Sequence, residues 1–140
     1  MTPLRDGPRP AGAARLWLAT LNSLRGLRHC YHSEAAFRQE VWAACVLIPL
    51  ALWLGRTGVE RALLAGSILF VMIVELLNTG IEVVVDRISH ERHHLSGFAK
   101  DLGSSAVLLA LLLAVITWAL ALSHRIRRIR FHNSKCSAAA

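Results

Sequence analysis

The sequence predicts an all-α membrane protein, three membrane-spanning helices preceded by an amphipathic helix on the membrane surface. Three observations carry this reading. Apolar residues make up 54% of the 140-residue chain and mean hydropathy is +0.45, too high for an ordinary soluble domain of this length. Residues 62–85 and 102–122 form apolar runs of 24 and 21 residues, against the roughly 20 that cross a bilayer core as a helix. A third apolar run, 41–54, has 14 residues. At about 1.5 Å per residue it covers about 21 Å of a core about 30 Å thick. Its helix therefore has to begin earlier, near Ser33, a good N-cap with Glu34 in the first turn.

The elements follow in order within what the length allows, a single domain. Residues 1–13 read as a loose arm rich in Pro, Gly and Ala, without the apolar core of a signal peptide. In 14–31 a helical wheel gathers Leu16, Trp17, Leu21, Leu24, Leu27 and Tyr31 on one arc, with Asn22, Ser23, Arg25 and His29 opposite. That pattern suits a helix on the membrane surface or one packed on the protein's own spans, and the two are compatible. The spans are expected at about 34–54, with Pro49 as a possible kink, 59–87 and 98–122. A short turn at 55–58 and a polar loop at 89–97 join them. The tail 123–140, basic and then rich in small residues, is expected to be disordered.

Three spans put the N-terminus and the 89–97 loop on one side of the membrane and the 55–58 turn and tail on the other. Nine Lys and Arg residues fall on the first side and seven on the second, a vote for a cytoplasmic N-terminus. The basic tail opposes that vote.

The net charge of +7 admits nucleic acid as a partner in principle, but no zinc-finger spacing, RNP-like motif or DNA-reading helix is present. Attraction to anionic lipid headgroups accounts for it more simply. Cys30, Cys45 and Cys136 form no C-x-x-C pair and suggest no disulfide framework. Among His90, His93 and His94, the His90-x-x-His93 pair has only helical-face spacing and no third metal ligand is evident, so a polar loop is the default there.

The chemistry concentrates in the second span. Glu75, Asn78, Glu82 and Asp86 fall within a sector of about 80° at about 100° per residue. A carboxylate in the middle of a span costs roughly 2.5–3.5 kcal/mol on insertion scales, so a chain that keeps two of them has a use for them. Pairing with Arg or Lys to hold helices together is the plainer alternative. Glu34, with Arg38 and Glu40 further on, opens the first span, and Lys100 and Asp101 open the third. Carboxylates at the interfacial ends of helices, without cysteine or a tight histidine cluster, are hard oxygen ligands suited to Mg²⁺, and Lys100 is placed to meet phosphate. The phosphate loop and the H-R-D and D-F-G elements of soluble kinases are absent. On these residues alone an enzyme, a proton-coupled transporter and an assembly factor all stay open.

Three strings narrow the choice: Glu34-Ala-Ala-Phe-Arg-Gln-Glu40, Glu75-Leu-Leu-Asn-Thr-Gly-Ile-Glu-Val-Val-Val-Asp-Arg87 and Ala99-Lys-Asp-Leu-Gly-Ser-Ser-Ala-Val107. With their spacing they resemble the prokaryotic diacylglycerol kinases, small integral membrane kinases unrelated to the soluble lipid kinases. The resemblance runs from about 15 to 118 without an obvious gap. It implies a homotrimer of three-span subunits in the bacterial inner membrane, with 14–122 as the kinase domain and its active site facing the cytoplasm. The activity implied is transfer of the γ-phosphoryl group of MgATP to a lipid hydroxyl, in lipid recycling.

By position, the resemblance makes Glu75 the catalytic base and Glu34 and Glu82 the carboxylates for Mg²⁺. It places Arg15, Asn22, Glu34, Glu82, Glu91, Arg92, His93, Lys100 and Asp101 at nucleotide contacts. Ala35, Ala36, Phe37, Arg38, Glu75, Ser104 and Trp118 fall at lipid contacts, with Asn78 and Asp86 in support. Asn22 and Arg92 stand where enteric members carry tyrosine. An undecaprenol kinase is the nearest rival, and 35–40 resembles the diacylglycerol branch better. A proton-coupled exporter using Glu75 is the rival from another class, opposed by Lys100, Asp101 and the carboxylates suited to Mg²⁺.

Overall fold

The structure is a computed structural model that describes residues 12–88 and 93–137, with side chains described as far as Ile126. It is built of four helices, α1 (Ala13–Ser33), α2 (Ala35–Leu54), α3 (Gly58–Ile88) and α4 (His94–Ser137). Three helices, Ala35–Leu54, Gly58–Ile88 and the His94–Ile126 part of α4, are long and apolar enough to cross a membrane. The chain is thus an all-α, multi-pass membrane protein in which α3 packs between α2 and α4. At 31 residues, α3 is about 46 Å long and outreaches a hydrocarbon core of about 30 Å.

Helix α1 leaves most of its apolar arc uncovered. Leu16 is 72% exposed and Trp17 65%, and Leu24 and Leu27 are exposed too. The buried residue of the helix is Cys30, near the C-terminal end, whose Sγ lies 4.0 Å from Thr79 Oγ1 on α3. This arrangement leaves the arc free for lipid rather than for the protein's own core.

The passage from α1 to α2 corrects one expectation. Ser33 does not cap the first span: it is the last residue of α1 and its hydroxyl donates back to the Cys30 carbonyl at 3.5 Å. Glu34 is the joint, a single extended residue (φ −104, ψ 121) that ends α1 and begins α2. Its N–H donates to Cys30 O at 2.8 Å and its carbonyl accepts from Arg38 N at 3.3 Å. The Ser33 hydroxyl can reach the preceding turn, so α1 continues through it. The Arg38 guanidinium closes the α1 terminus by donating to the carbonyls of Tyr31 (3.4 Å) and His32 (3.0 Å), where a cation also complements the helix dipole.

Pro49 lies inside α2, which nonetheless runs to Leu54. Gly55 follows because the turn is tight: a Cβ there would lie 2.6 Å from Arg61 Cγ and 2.9 Å from Arg61 N. Thr57 then caps α3 through its hydroxyl, and Glu60 reaches back to the turn before it. Thr57 Oγ1 accepts from Glu60 N at 3.1 Å, and the Glu60 carboxylate accepts from Arg56 N at 2.9 Å. Arg125 from α4 closes over this turn, its guanidinium 5.2 Å from the Trp53 ring centroid and donating to Leu54 O at 3.4 Å.

Helix α4 begins at His94, earlier than the expected 98, with His93 as its cap: the Leu95 N–H donates to His93 Nδ1 at 3.3 Å. Its backbone stays helical past the expected end at 122, through Ser137. From Leu122 onward the sequence contains neither Gly nor Pro, and Arg and Lys are good helix formers, so nothing local stops the helix where the apolar run ends.

The buried residues of α3, namely Leu64, Ser67, Ile68, Val71, Glu75 and Asn78, recur at three- and four-residue spacing. They form one face, apolar at the turn end and polar from Glu75 onward. Against it α2 sets Phe37, Ala44 and Ala51, seven residues apart, and α4 sets Gly103, Ala110 and Ala114. Small residues on α4 let the two backbones approach closely, and Val71, Ala110 and Ala114 with Val74 form the apolar core.

Candidate active site

The site lies where the buried face of α3 turns polar. Glu75 is 7% exposed and Asn78 8%, so α3 carries both inward as the direct continuation of Val71 and Ile68. Asn78 Nδ2 donates to Glu82 Oε1 at 3.1 Å, one turn further on. Glu75 experiences the charges of Glu82 and Glu34, and Glu40 experiences that of Glu75. Four carboxylates from α3, α2 and the α1–α2 joint thus share one electrostatic environment, half-buried or buried. Like charges so placed repel, and a cation or a proton is what relieves them.

Cys30 borders this cluster from α1. Burial pushes its thiol above the ordinary value, the Glu34, Glu75 and Glu40 carboxylates push it the same way, and the contact with Thr79 acts against them.

Beyond the acids, Lys100 at the start of α4 meets Asp86 at the end of α3, with Nζ 2.6 Å from Oδ1. Asp86 is 59% exposed and half-buried Lys100 38%, so solvent reaches the pair and the lysine remains exchangeable between Asp86 and an incoming anion. Asp101 is exposed, its carbonyl accepting from Ser105 Oγ at 2.7 Å.

On the apolar side, Glu40, Leu47, Val71, Met72, Ala114 and Trp118 line a partly open cavity of about 340 Å³ between α2, α3 and α4. Its wall is almost wholly apolar apart from its ends. Glu40 Oε2 and Trp118 Nε1 are both buried without a hydrogen-bond partner among the described residues.

The remaining expected contacts are placed unevenly. Arg15 and Asn22 are exposed on α1, and helix rise alone sets Arg15 about 28 Å from Glu34, so one chain does not bring them together. Ala35 and Ala36 are exposed, but Phe37 is 2% exposed and belongs to the packing between spans. Arg38 is engaged with the end of α1. His93 is exposed and caps α4. Ser104 is exposed, and half-buried Trp118 lies about 21 Å further along the helix. Glu91 and Arg92 lie outside the described residues.

Two residues escaped the candidate set. Glu40, noted among the acids of the first span but given no role, lies in the field of Glu75 and lines the cavity, and the cost of a carboxylate within an apolar span, the argument that singled out Glu75, applies equally to it. Gly103 is buried against Asn78, a relationship between helices that no periodicity carries.

Fold and site together define a class, that of multi-pass α-helical membrane proteins with an acidic centre between the spans. Comparison with known proteins is more specific. The prokaryotic diacylglycerol kinase family matches residues 21–122. A diacylglycerol kinase of Escherichia coli (strain K12) is 50% identical over 111 residues, 79% of this chain and 91% of that protein. One of Haemophilus influenzae is 48% identical over 110 residues, 79% and 93% of the two chains, and one of Pseudomonas aeruginosa 49% over 108, 77% and 88%. The chain belongs to the prokaryotic diacylglycerol kinase family.

Proposed function

We propose that this chain transfers the γ-phosphoryl group of MgATP to the free hydroxyl of diacylglycerol, giving phosphatidic acid and ADP. It does so as a homotrimer at the cytoplasmic face of the bacterial inner membrane. The observation that carries this reading is the position of Glu75, buried within a span in the field of two further carboxylates, its own charge felt by Glu40, which lines an apolar cavity. A base there is reached from the lipid, while Lys100 and Asp86 stand at the aqueous end of the same two helices. About 340 Å³ is the scale of a pocket that takes part of a small molecule, and its apolar wall suits an acyl chain.

The residues suit a divalent ion in a particular way. No three His, Cys, Asp or Glu side chains among the described residues are gathered closely enough to cage one. Mg²⁺ does not need a cage, because it keeps waters and is usually bound through one or two carboxylates together with substrate phosphates. Glu34 and Glu82 would hold it, their mutual repulsion with Glu75 relieved by the bound charge. The ion supplies charge neutralisation on the phosphate oxygens. Lys100 adds a second positive charge after exchanging Asp86 for phosphate. Arg15, Asn22, Glu91, Arg92, His93 and Asp101 complete the nucleotide contacts, and Arg38, Ser104 and Trp118 border the lipid.

Glu75 accepts the proton of the lipid hydroxyl as its oxygen bonds to the γ-phosphorus and the bridging bond to ADP breaks. Glu75 lies about 10 Å along α3 from Glu82, so base and metal carboxylate serve different parts of the reacting pair. Asn78 fixes the Glu82 carboxylate. The exposed apolar surface of the spans (Leu69, Phe70, Ile73, Leu77 and others) supplies what lipid and neighbouring copies cover.

The test is ATP consumption by the purified protein in mixed micelles containing dioleoylglycerol or a polyprenol. Mg²⁺-dependent turnover with dioleoylglycerol supports the assignment. A much higher kcat/KM for the polyprenol overturns the substrate.

A further inference from the structure

Helix α4 carries a glycine at 103 that its backbone does not need. Among the described residues only Gly12 has a positive φ, and a glycine inside a helix costs stability relative to alanine. Gly66, Gly80 and Gly97 face open space, with nothing within 4 Å of where a Cβ would stand. Gly103 differs. It is buried, and a Cβ there would overlap Asn78 Oδ1 and lie 3.2 Å from Asn78 Cγ. Oδ1 would have to turn away about the last side-chain bond and Cγ would have to give as well, so the Asn78 amide could not keep its present orientation.

That place is defined from both sides. Asn78 Nδ2 holds Glu82 Oε1 at 3.1 Å, while Oδ1 is buried with no hydrogen-bond partner among the described residues. A Cα hydrogen of Gly103 occupies the direction a Cβ would take, so it faces Oδ1 as a weak C–H donor does.

We propose that Gly103 is a positioning residue for the metal site: it leaves room on α4 for the Asn78 amide, which orients the Glu82 carboxylate. This rests on the reading of Glu82 as a Mg²⁺ ligand. Partners of metal-binding carboxylates commonly change metal affinity or activity by about 10–100-fold when lost, and Gly103 acts one step further out, through Asn78.

The experiment measures equilibrium binding of a non-hydrolysable ATP analogue against Mg²⁺ concentration. The proteins are wild type, Gly103→Ala, Asn78→Ala, the double variant, Glu82→Gln and Gly66→Ala as a helix control, with thermal unfolding in detergent for each. Gly103→Ala should raise the Mg²⁺ concentration for half-maximal nucleotide binding about 10-fold or more, and Gly66→Ala should leave it unchanged. Without the Asn78 amide the added methyl meets no Oδ1 or Cγ, so Gly103→Ala should change the Asn78→Ala protein by less than about twofold. Independent, multiplying effects would overturn the inference, as would an unchanged Mg²⁺ requirement in Gly103→Ala while Glu82→Gln raises it. If Glu82→Gln raises nothing, the metal reading is wrong and the role of Gly103 falls with it. Should Gly103→Ala fail to assemble, recovery of assembly in the double variant supports the contact with Asn78. Failure of both assigns the glycine to helix packing alone and overturns the inference.

Discussion

The Asn78 amide donates to the Glu82 carboxylate at 3.1 Å along one face of α3, and that bond links the buried half of the polar stripe to its open end. Glu75 and Asn78 lie inside the bundle, Glu82 is half-buried, and Asp86 is exposed beside Lys100. Polarity and accessibility therefore rise together along about three turns of helix. A lipid hydroxyl and a nucleotide can meet on this gradient without either crossing the other's solvent.

The apolar cavity predicts a separable effect on the lipid. Ala43 borders it and is itself exposed, so Ala43→Phe should fill the groove without disturbing the packed core. The KM for dioleoylglycerol should rise several-fold while affinity for MgATP stays at the wild-type value. Steady-state kinetics in mixed micelles with each substrate varied in turn will check this, and a change confined to nucleotide affinity would detach the groove from the lipid.

Cys30 should react slowly. Its thiol is buried, and burial together with the neighbouring carboxylates pushes its pKa up, so the thiolate fraction at neutral pH is below that of a free cysteine. In a variant with Cys45 and Cys136 replaced by alanine, maleimide labelling in detergent should lag behind a free thiol and accelerate as pH rises. Removing the Glu34 charge with Glu34→Gln should speed it, because one of the carboxylates that holds the proton on sulfur is gone. Labelling at the rate of a free thiol would remove Cys30 from the acid cluster.

The polar stripe was legible because a single helix fixes angles: 75, 78, 82 and 86 share a face whatever packs against it. The three spans were legible from run length for the same local reason. Relationships between helices were not. Glu34 read as a first-turn residue behind a Ser33 cap, whereas α1 runs straight through Ser33 and makes Glu34 the joint, placing its carboxylate within the field of Glu75. Gly103 carries no signal in its own helix, since what it accommodates belongs to α3. The helical backbone beyond 122 was hidden by charge, which marks the end of a span but does not break a helix.

The proposed orientation rests on where nucleotide must enter. Asp86 and Lys100 mark the aqueous ends of α3 and α4, so a lone cysteine introduced at Ser89, the next residue in sequence after α3, in a cysteine-free background should resist membrane-impermeant thiol reagents in intact cells and label after permeabilisation. Ready labelling in sealed cells would reverse the topology and, with it, the side from which nucleotide arrives.

The proposed division of labour between Glu75 and Glu82 is tested most directly by nucleotide affinity against Mg²⁺ concentration, paired with turnover. Glu75→Gln keeps shape and hydrogen-bonding capacity but cannot take a proton, so kcat should fall by about 10²–10⁴ while Mg²⁺-dependent nucleotide binding survives. Glu82→Gln should weaken that binding, with partial recovery at higher Mg²⁺ through Glu34. Both variants should insert, because an amide costs less than a carboxylate inside the membrane. Equal loss of nucleotide binding in the two variants would contradict separate roles and make the buried glutamates a single metal or structural unit.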